Sequence, residues 1–183
     1  GSWYNLAIAF ECRCINFSVS VFFHIVTQPF YLFIEEKSMS IINDEFYDNL
    51  ANYCKEYMDI VLRIHANDAN ILFSDNIVQD SKKYKAKNLN NTSGKYIPET
   101  NLILINYNNF KNSWNALPIT IIHELIHHAD YNLFIKDYCN NVINNLYSHK
   151  FYNSFSAWSE FHARINASIH GRLLLATLDN TDY

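Results

Sequence analysis

The chain predicts an α+β fold in one domain: a small mixed or antiparallel sheet packed beside a long histidine-bearing helix and a second, C-terminal helix. Three observations carry that expectation. Short β-rich runs, Ile71-Leu72-Phe73 and Asn101–Tyr107 (NLILINY), stand apart from three long stretches of helical periodicity. A length of 183 residues is enough for one domain with a substantial core. With 49% apolar and 17% charged residues, the chain is neither disordered nor a polyelectrolyte.

Taken in order, Gly1-Ser2 reads as a cloning remnant and is set aside, leaving residues 3–183 as the domain. Ile15 to Ile34 contains no charged residue, a length that raises the question of a membrane span. Asn16, Ser18, Ser20, His24, Thr27, Gln28 and Pro29 interrupt it, and Ile15, Phe17, Val19, Val21, Phe23 and Ile25 alternate onto one face. That period predicts a half-buried strand, with membrane or interface contact as the lesser reading. Met39 offers an alternative natural start, which makes residues 3–38 an aromatic extension.

Phe46, Leu50, Tyr53, Cys54, Tyr57, Met58, Val61 and Leu62 recur at helical spacing within Asn43–Ile64. Residues 79–100 are rich in Lys and Asn, with Gly94 and Pro98 as breaks, and read as a loop or hairpin edge. Helices are predicted from Pro118 to Phe134 and from Phe155 to about Leu178. Proline suits a first helical turn because its missing N–H has no partner there. Between them, Tyr138, Val142, Ile143 and Leu146 suggest a short helix. On the last helix, Trp158, Phe161, Ile165, Ile169 and Leu173 are spaced as a core stripe, and Glu160 shares a line with Ala163, Ala167 and Gly171.

A net charge of −4 argues against a nucleic-acid partner held by bulk charge. Lys82, Lys83, Lys85 and Lys87 read as a solvated loop or strand edge. The 16% aromatic content, the three glycines and the many asparagines fit an AT-rich coding bias. Cys12, Cys14, Cys54 and Cys139 lack the paired spacing of a structural zinc site and read as free thiols, which favours a reducing, cytoplasmic setting. A leader trimmed from the chain would leave secretion open, and nothing in the pattern sets an oligomeric state.

The chemistry concentrates in Pro118–Asp130, PITIIHELIHHAD. His123 and His127 are four apart, so their imidazoles project from one helix face, one turn apart, where two nitrogens can bind one zinc ion. Glu124 stands beside the first histidine, placed to act as general base on zinc-activated water. With eight His and eight Glu in 183 residues, a shuffled chain would show H-E-x-x-H about 0.015 times. An amphipathic helix with incidental histidines leaves both Glu124 and the spacing unexplained. Ile122, Leu125, Ile126 and Ala129 supply an apolar stripe for the opposite face.

A catalytic zinc needs a third protein ligand and an open position. The compact continuation with a further histidine is absent, so the ligand comes from elsewhere. Glu160, in AWSEFHAR, is preferred, because the small residues in its line allow close approach to the first helix. His162 is the competitor; it points about 200° away from Glu160, so the two exclude each other. Asp130 is expected to accept an imidazole N–H and orient a ligating histidine. Arg164, one turn after Glu160, is placed to pair with it or to be solvated. Tyr131, Tyr152, His162 and Arg164 are candidates for stabilising an oxyanion. His128 reads as a helix-surface residue, and His24, His65, His149 and His170 as structural.

Gly94-Lys95-Tyr96, the strand NLILIN, ITIIHELIHHAD and the later WSEFHAR together resemble small zincin-like metallopeptidases of the gluzincin kind, over residues 94–175. The resemblance implies a zinc-dependent hydrolase that takes a peptide or protein as an added strand beside the active helix, aligned by strand 101–107. Zinc is then held by the motif histidines and a glutamate on a following helix; the long gap from His127 to Glu160 departs from the family's pattern. The alternatives are a metal-binding regulatory or interaction protein of the same fold without efficient proteolysis, or a membrane-associated module built on the N-terminal segment.

Overall fold

The computed structural model describes residues 44–84, 92–111, 113 and 116–179. The alternating segment at 15–25, the uncharged run to Ile34, Cys12, Cys14, Lys85 and Lys87 lie outside them. The described elements are α1 (Asp44–Tyr57, continued by a π-helical turn Met58–Leu62), β1 (Asn70–Ser74), α2 (Ile77–Lys83), β2 (Gly94–Ile97), β3 (Leu102–Asn106), α3 (Ala116–Tyr138) and α4 (Tyr152–Asp179). The architecture is α+β, as expected. No described helix is long and apolar enough to cross a membrane.

The sheet is mixed, in the order β1-β3-β2, with β1 parallel and β2 antiparallel to β3. Every residue of β3 is buried. Ile103 and Ile105 enter the main core with α1 and α3, while Leu102 and Leu104 pack against Ile97 and Ile77 on the other face. A strand apolar on both faces belongs in the middle of a sheet. That corrects the role expected for residues 101–107: β3 has a neighbour on each side and leaves no room for an added strand. The open edge beside α3 is β2.

Within 79–100, residues 79–83 belong to α2 and 94–97 form β2, while 85–91 lie outside the described residues. Asn76 caps α2 by accepting the Gln79 N–H at 3.1 Å, and Gly94–Ile97 forms the hairpin-like edge. The short helix expected after residue 135 reduces to a 3-10 turn, Ile143–Asn145, because Asn140 and Asn141 take left-handed backbone angles and end α3. Cys54 and Cys139 are buried free thiols, as expected.

Helix α3 is the centre of the molecule. Ile121, Ile122, Leu125, Ile126 and His128 are fully buried, and Glu124 and Asp130 nearly so on other faces. A helix enclosed nearly all round packs against sheet, α1 and α4 at once.

Helix α4 reverses the expected stripe. Its buried line is Phe155, Ser159, Ala163 and Ala167, while Trp158 is 51% and Phe161 64% exposed, with Ile165, Ile169 and Leu173 on the same outward side. The small residues face α3 because helix axes can approach closely only where side chains are short. The larger residues are left outside by that contact.

Candidate metal centre

Two helices build the site. Spacing on α3 sets His123 and His127 one turn apart, and the small face of α4 brings Glu160 onto the same spot. His127 Nε2 lies 3.1 Å from His123 Nε2 and 3.3 Å from Glu160 Oε2, and His123 Nε2 lies 3.9 Å from that oxygen. A tetrahedral zinc with ligands at about 2.0–2.1 Å needs donor atoms about 3.3–3.4 Å apart. The three donors have that scale, and His123, His127 and Glu160 could hold a metal ion.

The hydrogen bonds around His127 fix its usable tautomer. Ser159 Oγ donates to Asp130 Oδ2 at 2.9 Å, so its lone pair accepts from His127 Nδ1–H at 2.8 Å. The His127 Nε2 lone pair is thereby directed at the metal position. Asp130 therefore acts through Ser159; the direct carboxylate–imidazole bond expected to a ligating histidine goes instead to His162, whose Nδ1 lies 3.0 Å from Asp130 Oδ2. Ser159 itself is fully buried and had no motif to announce it.

His162 is thus turned to Asp130 and stacked on Trp158 at 5.0 Å between centroids, away from the donor cluster. Arg164 Nε donates to Glu160 Oε1 at 2.6 Å, which leaves Oε2 toward the histidines. Burial opposes the Glu160 charge, but the bond from Arg164 holds its carboxyl below the usual range. Burial lowers the pKa of both His123 and His127, favouring the neutral form that binds metals.

Glu124 occupies the gap between α3 and the sheet edge. It is nearly buried, and its Oε2 accepts the Tyr96 N–H of β2 at 2.8 Å. Burial pushes its carboxyl up to about 7, against the opposing pull of Lys95 and the Tyr96 N–H. Gly94 makes this approach feasible: a Cβ there would stand 2.9 Å from both Glu124 Cγ and Thr120 Cγ2.

A cleft of about 420 Å³ adjoins the donor cluster, lined by residues 95–99 and by His127, Tyr131, Tyr147, Tyr152, Ser156 and Glu160. Of the oxyanion candidates, Tyr131 and Tyr152 line it; His162 and Arg164 do not, being engaged with Asp130 and Glu160. Tyr147 and Ser159 are the residues sequence reasoning passed over.

His128 corrects its surface assignment. It is 1% exposed, packed edge-on to Tyr96 with ring centroids 5.4 Å apart, and its Nε2 accepts from Asn132 Nδ2 at 2.9 Å. His170 meets the hydroxyl of Tyr57, and His65 pairs with Asp59 near the end of the π-helical turn. No protein-family model matches the chain, and comparison with curated proteins and with solved structures found no match.

Proposed function

We propose that the protein is a zinc-dependent metallopeptidase that hydrolyses a peptide laid along the open edge of β2. The convergence of His123, His127 and Glu160 at the head of a cleft, with the buried Glu124 reaching the cleft's edge strand, is the observation that carries the reading. Zinc, when bound, supplies Lewis acidity and an activated water nucleophile.

The chain's own residues supply the rest. Glu124, with a carboxyl near neutrality, takes the proton of the attacking water and delivers it to the leaving amine. The Tyr96 N–H holds that carboxylate in place. In an antiparallel strand the N–H and C=O of one residue point the same way, so the Tyr96 carbonyl also faces the open side and is available to a substrate strand. Tyr131 and Tyr152 line the cleft and are the residues that would donate to the developing oxyanion.

Two histidines and a carboxylate also accept iron or manganese, so metal identity is part of the test. Metal analysis should find one equivalent of zinc in the wild type, and its loss in His123→Ala and Glu160→Ala. Glu124→Gln should keep the metal and lose peptide hydrolysis. A metal-loaded wild type that cuts no peptide in a broad panel would overturn the peptidase reading. It would favour a metal-binding interaction protein, for which the outward apolar face of α4 is the supporting observation.

A further inference from the structure

Resting on the peptidase reading, we propose that the cleft selects a substrate residue with a long cationic side chain, lysine or arginine. That side chain sits among Tyr131, Tyr147 and Tyr152 with its charge against Glu99.

Glu99, Tyr147 and Tyr152 line the cleft together, and Tyr131, edge-on to His127 with ring centroids 6.2 Å apart, joins them to the donor cluster. Tyr147 Oη donates to Glu99 Oε1 at 2.6 Å, tying the α3–α4 connection to the turn that follows β2. Tyr147 stands edge-on to Tyr152 with ring centroids 5.1 Å apart, and Tyr131 Oη donates to Ser156 Oγ at 3.5 Å. Rings fixed in this way offer π-faces to a cation, which are worth most where water is partly excluded.

Glu99 gives the pocket its sign. Among the described residues it forms no ion pair, and Tyr147 engages one of its two carboxylate oxygens. Glu99 is exposed, so an apolar side chain seated there gains nothing from the carboxylate. An acidic one would meet the like charge of Glu99. A guanidinium or ammonium satisfies the carboxylate and the rings together.

Lys95 and Glu99 stand four residues apart on the same wall of the cleft, one on β2 and one on the turn that follows it. That wall carries opposite charges at its two ends, and a substrate cation is matched at Glu99 and repelled at Lys95.

The test uses fluorescent hexapeptide pools, N-acetylated and C-amidated so that only side chains carry charge, with one position fixed as Arg, Lys, citrulline, Leu or Glu. Binding is read by anisotropy on metal-loaded Glu124→Gln, with cleavage by the metal-loaded wild type in parallel. The Arg and Lys pools should bind about tenfold tighter than the citrulline and Leu pools. Adding Glu99→Gln should reduce that preference to about twofold or less, and Glu99→Lys should shift it toward the Glu pool. Equal binding of all pools, no binding of any, or a preference that survives Glu99→Gln overturns the proposal. Cleavage without cationic preference overturns it while leaving the peptidase reading standing. Glu99-dependent capture of cationic pools with no cleavage overturns the peptidase reading alone.

Discussion

At the scale of single residues, small side chains do work that the motif does not advertise. Ser159 passes the charge of Asp130 to His127 and so selects the tautomer that ligates. Ser159→Ala should weaken zinc binding about 10–100-fold with the fold retained, measured by competition with a chromophoric chelator. Gly94 is required by space, since its backbone is not in the left-handed region. Gly94→Ala should force Glu124 off the Tyr96 N–H and destabilise the protein by about 1–3 kcal/mol. Its signature would be a lowered Tm and lost hydrolysis at unchanged metal content. Asparagine, so frequent in the composition, has uses of its own: Asn101, Asn140 and Asn141 take positive φ angles that glycine commonly supplies.

At the scale of elements, α4 shows why spacing identifies a helix face more easily than it identifies which face is buried. Both of its stripes have helical period, and the large apolar one looked like the core. Packing chose the other, since Ala163 and Ala167 let α4 close on α3 and carry Glu160 to the histidines. The same helix meets α1 where His170 Nδ1 contacts the Tyr57 hydroxyl. Burial lowers the His170 pKa from its ordinary 6.5, so the neutral ring is the one that fits and accepts from Tyr57. The sign follows: this contribution to stability is complete above about pH 6.5, and it is lost as pH falls from there through the depressed folded value. Denaturant melts between pH 7.5 and 5 should show a shallower loss of stability in His170→Asn than in the wild type. Equal slopes would remove His170 as a contributor.

At the scale of the whole molecule, the donor set joins two successive helices, so a bound metal acts as a cross-link between α3 and α4. The unfolded chain has no such preformed site, and zinc at a hundredfold excess over Kd should stabilise the fold by about 2.7 kcal/mol. Chelation should then lower Tm by several degrees, and the shift should vanish in His123→Ala. Identical melting curves with and without chelator would mean that the site holds no ion tightly.

Local geometry and side-chain chemistry are legible in the chain before it folds. His123, Glu124 and His127 were legible because a four-residue spacing on one helix places two imidazoles together before any tertiary contact forms. The NLILIN run announced a strand through its own apolar pattern, and the small line through Glu160 marked it as able to approach α3. That β3 is central and β2 the edge follows from non-local pairing, which no local pattern encodes. The same holds for the burial of His128 and the relay from Asp130 through Ser159. It also holds for the gathering of Tyr131, Tyr147, Tyr152 and Glu99 about one cleft. Those are contacts between segments far apart in the chain, and helical or strand periodicity carries no information about which faces will meet.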